Sequence, residues 1–386
     1  MGKCSRLERT KAILADLLSF QTISGSSNLE MIAYLRDHLA ALGADIRTYP
    51  DETGDKANLF ATIGPDQPGG IVLSGHSDVV PVKGQDWTVE PFALTERDGR
   101  LYGRGAVDMK GFIAAALTTL SDFAASDLRR PLHLAVTYDE EITCFGAANL
   151  MKQLAEDDIR TGVAIIGEPT GMGIVEGHKG CFEYTTEFIG LEGHSSRPEN
   201  GVSAIDYAVR FITRLHELRL ELEVRAPADT RYTPPFTTVH VGRISGGTAR
   251  NVIARHCQVD WEIRPVRVQD ADFIKAAMAD FVSTVLKPAM TAIHPEADIV
   301  THICTEVASF ETEPISEARD LVGDLTGNRT TSVVPFGTEA GFFQSAGISS
   351  IVCGPGSIDQ AHMADEFIEE RELKACLDIL GKLPVL

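Results

Sequence analysis

The stretch "PLHLAVTYDEEITCFGAANLMKQLAED", residues 131–157, joins an apolar segment to a helical one through three consecutive acids. Its first half predicts a buried strand, and its second half has the apolar spacing of a helix. Acids are costly at the end of an apolar strand unless something pairs with them or uses them. Asp139, Glu140 and Glu141 therefore mark this strand end as a candidate functional site.

Two further apolar strands end in the same way. "GGIVLSGHSDVV", residues 69–80, and "GVAIIGEPT", residues 162–170, both run into polar side chains. Helical patterns such as "GFIAAALTTLSDFAA", residues 111–125, alternate with them. This alternation predicts an α/β domain with a mixed, mostly parallel sheet and flanking helices. In open α/β sheets the ligand site lies beyond the carboxyl ends of the strands.

The pattern of apolar residues changes in the middle of the chain. "GCFEYTTEFIGLEG", residues 180–193, and residues 236–266 alternate with period two, which is typical of antiparallel strands. A chain of 386 residues also exceeds the usual ceiling for a single core. We predict a discontinuous α/β domain of residues 1–175 and 289–386, interrupted by an inserted α+β domain of residues 176–288.

Charge and cysteine usage limit the class of partner. The formal net charge of −20 argues against nucleic acid or an anionic membrane and suits a small cationic substrate or metal ions, although a solvated acidic surface also explains it. The seven cysteines form no C-x-x-C pair and no evident disulfide framework, which favours the cytoplasm. "MGKCSRLERT", residues 1–10, lacks the apolar region of a signal peptide, and no apolar run reaches membrane-spanning length.

Histidines and carboxylates recur at these strand ends and in glycine-rich loops. His76 and Asp78, in "SGHSDVVPV", share one face of a strand, and a metal-bound imidazole commonly has its other nitrogen held by a carboxylate. Asp108 stands among glycines in "LYGRGAVDMKGF", where it is either a metal ligand or the N-cap of the next helix. Glu168 lies in "IIGEPT" and His362 in "GPGSIDQAHMADEF".

Histidine and carboxylate ligands without cysteine are typical of a catalytic zinc, cobalt or manganese site. One carboxylate with two oxygens can bridge two metal ions. If Glu141 is a ligand, its neighbour Glu140 can face the attacking water as a general base. Asp139 is expected only to support the turn through a hydrogen bond.

In order and spacing these fragments resemble the M20 family of co-catalytic zinc peptidases and deacylases. The resemblance is carried by "SGHSDVVPV", "LYGRGAVDMKGF", "TYDEEITCFGA", "GTEAGFF" (residues 337–343) and "GPGSIDQAHMADEF" (residues 354–367), and covers nearly the whole chain. It implies two divalent metal ions, Zn²⁺ or Co²⁺. By this resemblance His76 and Glu168 would bind one metal, Glu141 and His362 would bind the second, and Asp108 would bridge the two. Glu140 would be the general base and acid, and Asp78 would orient His76.

The same resemblance implies that the inserted domain is a lid through which the protein forms a homodimer. His194, in "GHSSRPENGVSAI", matches the lid histidine that polarises the scissile carbonyl across the dimer. Asn251 and Arg264 match positions that hold the substrate carboxylate, and a planar guanidinium suits that task. Gly337 and Thr338 match a clamp on the opposite wall.

The expected activity is metal-dependent hydrolysis of the acetyl group from an N-acetyl amino acid. Within the family the motifs are most similar to those of the deacetylases that act on N2-acetyl-L-ornithine, a step of arginine biosynthesis. An aminoacylase, a succinyl-diaminopimelate desuccinylase, a dipeptidase, a non-catalytic metal-binding protein on the same fold and a metal-free carboxylate-pair hydrolase remain as alternatives. Thr143 replaces an expected glycine, and Met363–Ala364 replace an expected polar–proline pair, which leaves the substrate preference open.

Overall fold

The computed structural model describes residues 5–385. Residues 1–4, on which part of the signal-peptide prediction rests, lie outside the described residues, as does Leu386. The strands are β1 (Asp45–Pro50), β2 (Ala57–Ile63), β3 (Ile71–His76), β4 (Thr95–Arg97), β5 (Arg100–Tyr102), β6 (Leu132–Thr137), β7 (Val163–Pro169), β8 (Ile174–His178), β9 (Cys181–Ile189), β10 (Thr238–Gly246), β11 (His256–Arg264), β12 (Asp298–Val307), β13 (Thr331–Val334), β14 (Ser349–Gly354) and β15 (Phe367–Glu369).

The helices follow the same alternation. They are α1 (Arg6–Ser19), α2 (Leu29–Ala41), α3 (Lys110–Phe123), α4 (Phe145–Glu156), α5 (Ala204–Val224), α6 (Val268–Phe281), α7 (Lys287–Thr291), α8 (Glu317–Thr326), α9 (Ala340–Ser345) and α10 (Glu370–Leu380). Short 3₁₀ helices lie at Pro198–Asn200 and Ile358–Gln360, and a π-helical segment lies at Val282–Leu286.

The chain divides into two compact units. The first unit comprises Met1–Gly177, Thr312–Ser332 and Thr338–Leu386, and the second comprises His178–Glu311 and Val333–Gly337. The sequence predicts an inserted domain that ends at residue 288, whereas the main segment of the second unit extends to Glu311. The reason is that β12 pairs with β9, from Asp298 opposite Ile189 to Val307 opposite Cys181, so this strand belongs to the second sheet.

A mixed eight-stranded sheet forms the centre of the first unit. Its strand order is β1-β2-β6-β3-β7-β14-β8-β13. The four central strands β6, β3, β7 and β14 are parallel to one another, whereas β1, β2 and β8 pair in antiparallel fashion. Strands β3, β6 and β7 are buried along their whole length, as expected for strands covered on both faces. The predicted fold class is confirmed.

Parallel pairing brings the functional strand ends to one edge of the sheet. His76 at the end of β3 pairs with Thr137 at the end of β6, and Gly354 at the end of β14 pairs with Pro169 at the end of β7. Helix α3 packs on this sheet and against α1 and α10, and almost every one of its side chains is buried. Its run of small residues, Ala114–Ala116, permits this close packing on several sides.

The second unit has its own core around a four-stranded antiparallel sheet of order β10-β11-β9-β12. Burial alternates along β9 and β11, because one face of the sheet packs on helix α5 and shares a core with side chains of α6. Tyr184 of β9 stacks on Trp261 of β11 with 4.5 Å between the ring centroids. Within residues 5–385, every helix is too short or too polar to cross a lipid bilayer.

We expect Gly167→Ala to destabilise the first unit. A Cβ atom at Gly167 would lie 2.0 Å from the ring Cγ of Phe112, which is buried in the core and cannot move without displacing its neighbours. Overpacking of this kind costs about 1–3 kcal/mol, which urea unfolding would measure as a lower free energy of unfolding. Gly242→Ala is the control, since its Cβ would lie 3.9 Å from the nearest atoms. Equal stability of both variants would contradict the expectation.

Candidate metal centre

His76 ends strand β3 and is fully buried. Its Nδ1 lies 2.9 Å from the main-chain oxygen of Asp78. A carbonyl oxygen can only accept, so Nδ1 carries a proton in this hydrogen bond and the other nitrogen, Nε2, faces the site. The Asp78 carboxylate is farther from Nδ1, at 3.6 Å. Asp78 therefore contacts the imidazole chiefly through its main chain rather than through the expected carboxylate.

The Asp78 carboxylate instead holds the turn that carries the paired glutamates. Its Oδ1 accepts from the main-chain N–H of Glu140 at 3.0 Å, and its Oδ2 accepts from that of Glu141 at 3.3 Å. The hydroxyl of Ser24 donates to Oδ2 at 2.7 Å. These bonds attach the loop after β6 to the end of β3 and so fix where both glutamate side chains start.

Asp108 lies directly before helix α3 but does not cap it. The N-cap is Met109, and no side chain makes a capping hydrogen bond there. The two Asp108 oxygens face different histidines: Oδ1 is 3.1 Å from Nε2 of His76, and Oδ2 is 3.2 Å from Nε2 of His362. This geometry is that of a bridging carboxylate, and it disfavours the N-cap alternative.

Two groups of potential ligand atoms share Asp108. The first is His76, Asp108 and Glu168, and the second is Asp108, Glu141 and His362; within each group the atoms lie within 4.8 Å of one another. Nε2 of His76 is 3.7 Å from Oε1 of Glu168, and Nε2 of His362 is 2.9 Å from Oε2 of Glu141. The structure therefore brings together, within the first unit, all five side chains that were predicted as ligands.

The donor set fits divalent cations. Oε1 of Glu168 is buried and has no hydrogen-bond partner among the described residues. A carboxylate oxygen in that position is costly unless a cation lies beside it. Within residues 5–385, the ion pairs of Asp108, Glu141 and Glu168 are with histidines and not with lysine or arginine. Imidazole nitrogens and carboxylate oxygens are ligands that zinc and cobalt accept.

Burial and mutual charge shift the pKa values of these groups. Burial raises the pKa of Glu168 well above its usual range, and the charge of Asp108 adds to this. Burial lowers the pKa of His76, but the hydrogen bond to Asp108 and the charge of Glu168 outweigh it, so this pKa lies well above its ordinary value. Hydrogen bonds to Asp108 and Glu141 raise the pKa of His362 to about 10. Without a cation His362 therefore carries a proton at neutral pH.

Glu140 lies beside this cluster without belonging to either ligand group. Burial raises the pKa of its carboxyl well above the ordinary value; the charge of His76 opposes this, and that of Glu141 adds to it. Sγ of Cys144 lies 3.7 Å from Oε1 of Glu140. A carboxyl with a raised pKa beside a ligand cluster has the properties of a group that accepts and returns a proton.

The turn after the glutamates closes without glycine at position 143. The main-chain oxygen of Asp139 accepts from the N–H groups of Thr143 at 3.1 Å and Cys144 at 2.8 Å. Asp139 and Cys144 themselves adopt left-handed conformations, with φ of 55° and 53°. The Asp139 carboxylate accepts from the N–H of Gly25 at 2.9 Å and pairs with Lys56. Asp139 is thus a structural residue of the turn.

One buried acid next to the site was not predicted from the sequence. Glu339, in "GTEAGFF", is fully buried and accepts hydrogen bonds from the hydroxyls of Ser74, at 3.2 Å, and Thr137. These residues belong to β3 and β6, the strands that lead to His76 and the paired glutamates. The sequence signal that could have indicated Glu339 is an acid directly before the apolar run "AGFF".

The other predicted substrate contacts are divided between the units. Thr338 belongs to the first unit, and Gly337 to the second. His194 and Asn251 lie on neighbouring segments of the second unit, where the N–H of Ser195 donates to the main-chain oxygen of Asn251 at 3.2 Å. Both side chains are exposed, and Nδ1 of His194 lies 2.8 Å from the Ser196 hydroxyl.

Arg264 is already engaged within the second unit. Its guanidinium donates to Oε2 of Glu262 at 3.1 and 2.8 Å, and it lies 3.7 Å from Glu183. A substrate carboxylate would therefore have to share this guanidinium with Glu262.

Comparison with known proteins identifies the family. Residues 72–384 match the model of peptidase family M20/M25/M40. The chain belongs to this family. The acetylornithine deacetylases of Shigella sonnei and Photorhabdus laumondii subsp. laumondii are 36% and 38% identical to it, over 355 and 363 residues. Each alignment covers 92% of this chain and 90% of the relative. The predicted family and the predicted class, a hydrolase, are confirmed.

Solved structures of several peptidases share the fold at low sequence identity. A tripeptidase from Staphylococcus aureus matches with a TM-score of 0.72 and 19% identity, covering 100% of this chain and 99% of its own. An M20 family metallo-carboxypeptidase from Sulfolobus solfataricus matches with 0.71 and 18% identity over 100% of both chains. A dinuclear metal binding peptidase of family M20 from Bacillus subtilis matches with 0.63 and 14% identity over 98% of both chains.

Binding of Zn²⁺ to the metal-free protein should release protons and strengthen as the pH rises. His362, with its pKa raised to about 10, carries a proton at neutral pH, and the pKa values of His76 and Glu168 are raised as well; each protonated ligand must lose its proton before it can coordinate a cation. Calorimetric titration in buffers of different ionisation enthalpy would count the released protons. His38→Asn, which alters an exposed histidine on α2, should leave that count unchanged. Zinc binding without proton release between about pH 6 and 8, the range near neutrality where histidine titrates, would contradict the assignment.

Proposed function

We propose that the protein removes the acetyl group from an N-acetyl amino acid, with N2-acetyl-L-ornithine as the favoured substrate and L-ornithine and acetate as products. The observation that carries this proposal is the pair of ligand groups that share Asp108, with the buried carboxyl of Glu140 beside them. The two relatives named acetylornithine deacetylase support this choice of substrate.

His76, Asp108 and Glu168 would hold one divalent cation, and Asp108, Glu141 and His362 would hold a second, with Zn²⁺ or Co²⁺ as the expected metal. When bound, such ions polarise a carbonyl and lower the pKa of a water molecule. The main-chain bond from Asp78 keeps Nε2 of His76 directed at this site.

Glu140 would act as the general base and then as the general acid. Its carboxylate would take the proton of the attacking water and return it to the nitrogen of the leaving amine. The raised pKa suits this role, because a carboxylate with a higher pKa is a stronger base toward the attacking water. The bond between Asp78 and the Glu140 N–H would hold the main chain in place meanwhile.

The second unit would serve as the lid and dimerisation domain of a homodimer, as the family resemblance implies. His194 would donate a hydrogen bond to the oxyanion that forms from the amide carbonyl. Asn251, Arg264, Gly337 and Thr338 would bind the substrate carboxylate and its neighbouring atoms. We place the enzyme in the cytoplasm, because the six described cysteines are all unpaired. The negative net charge is compatible with a cationic substrate side chain.

Glu140→Ala should abolish most of the turnover while metal binding survives. The change removes the proposed base but none of the ligands, so kcat should fall on the order of 10²–10⁴-fold, the usual contribution of general acid–base catalysis. Mass spectrometry of the purified protein would measure the bound metal. Glu141→Ala, by contrast, should lower the metal content, and Glu30→Ala on the exposed face of α2 should change neither quantity. Unchanged turnover in Glu140→Ala would remove Glu140 from its role.

A panel of N-acyl amino acids should identify the substrate class. We expect the highest kcat/KM with N2-acetyl-L-ornithine, compared with N-acetylmethionine, N-succinyl-diaminopimelate and an unblocked dipeptide, each assayed with added Zn²⁺ or Co²⁺. Preference for one of the other three would assign the chain to the aminoacylase, desuccinylase or dipeptidase alternative. Metal binding without hydrolysis of any of the four would favour the non-catalytic alternative. Full activity under strong chelation would favour a metal-free hydrolase.

A further inference from the structure

The segment that carries Asp108 is held by a buried acid, Glu366. Oε1 of Glu366 accepts from the main-chain N–H groups of Val107, at 2.9 Å, and Asp108, at 3.2 Å. Its main-chain oxygen accepts from the N–H of Gly103 at 2.9 Å. Glu366 is only 1% exposed, so it does not face solvent and its role is confined to its protein partners.

Arg104 links this acid to the loop of residues 84–90. One guanidinium nitrogen, Nη1, lies 2.5 Å from Oε2 of Glu366, and the other, Nη2, donates to Oε1 of Gln85 at 2.6 Å. The guanidinium also lies over the ring of Trp87, with 5.0 Å from Cζ to the ring centroid. Both Arg104 and Glu366 are almost completely buried, so loss of either partner would leave a costly unpaired charge.

Gln85 completes the connection to the loop of His362. Its Nε2 donates to the main-chain oxygen of His362 at 2.7 Å. Its Oε1 accepts from both Arg104 and the indole N–H of Trp87, at 2.6 and 3.0 Å. Two donors on that oxygen define which way the amide points, because an amide nitrogen could not accept from either of them. The chain of bonds therefore runs from Asp108 through Glu366, Arg104 and Gln85 to His362.

The loop of His362 needs such a partner. His362 and Asp365 both have left-handed backbone conformations, with φ of 63° and 55°, which cost non-glycine residues free energy. The His362 side chain is 51% exposed, so core packing does not hold it. Besides Gln85, the loop is attached through Asp365, which accepts from the N–H and hydroxyl of Thr88 at 2.8 and 2.6 Å.

We propose that Gln85 is a positioning residue for the metal ligand His362, and that it sets the affinity of the Asp108, Glu141 and His362 group for a divalent cation. Arg104 and Glu366 hold Gln85 in register with the Asp108 segment. The group of His76, Asp108 and Glu168 does not depend on Gln85 directly, because Glu366 itself holds Asp108 and the other two ligands stand at buried strand ends. The inference rests on the proposed metal centre but not on the proposed substrate.

The test is Gln85→Met, which keeps the length of the side chain and removes its amide. Metal-free protein would be titrated with Co²⁺ and followed by visible absorption and by calorimetry. We expect one ion to bind as in the unaltered protein and the second to bind about 10–100-fold more weakly, the usual effect of losing a hydrogen bond behind a ligand. The metal-free protein should stay folded with only a small fall in its unfolding midpoint, because the buried Arg104 loses one acceptor but keeps Glu366.

Gln67→Met is the matched control. Gln67 is also a glutamine on a loop of the first unit that donates to a main-chain oxygen, that of Arg129 at 2.8 Å. Its loss should leave both ions bound with unchanged affinity. Thr88→Val provides a second variant, which removes the hydroxyl bond to Asp365 and should weaken the same ion severalfold, since a single hydrogen bond contributes about 1 kcal/mol.

Unchanged binding of both ions in Gln85→Met and Thr88→Val would overturn the inference, as would equal weakening of the two ions. If Gln85→Met fails to fold, the result with Thr88→Val decides by the same criterion. Failure of the unaltered protein to bind two ions would instead overturn the proposed metal centre. The two failures are therefore distinguishable.

Discussion

The Asp108 carboxylate is the interaction on which the candidate site depends. Its two oxygens face His76 and His362, which come from opposite ends of the first unit's sequence. Burial raises the pKa of this acid, but hydrogen bonds from the two histidines outweigh the burial and hold the pKa below its usual range. Glu141 and Glu168 complete the two groups around it. So many buried acids are tolerable only with protons or cations among them, which couples metal binding to the stability of this region.

A second layer of acids holds the main chain rather than the proposed ions. Asp78 accepts from the N–H groups of Glu140 and Glu141, and Glu366 accepts from those before α3, including that of Asp108. In both cases a carboxylate satisfies two main-chain donors at once. Charge-assisted bonds of this kind are stronger than neutral ones and fix the point from which each ligand side chain extends. The hydrogen bonds that Asp78 and Glu366 accept from the main chain therefore help to determine the geometry of the site.

Much of this arrangement is predictable from sequence, because acids at the ends of apolar strands are costly unless they are paired or used. The family resemblance named every member of the ligand groups, and the structure brings them together. The role of the Asp78 carboxylate was not predictable, since a two-residue spacing does not distinguish a main-chain contact from a side-chain contact. Glu339 and Glu366 were missed as functional neighbours, because a single buried acid has no periodic signal. The extent of the second unit was underestimated for lack of any local marker that β12 joins β9.

The sequence by itself determined the α/β class, the alternating strands of the second unit and the residue types available for chemistry. These follow from local periodicity and from side-chain chemistry, which do not depend on distant partners. Only the tertiary structure decided which acid contacts which histidine, and that Gln85 and Arg104 connect the segments of Asp108 and His362. Such contacts join residues far apart in the chain, and their geometry arises from parallel strand register and core packing rather than from any local pattern.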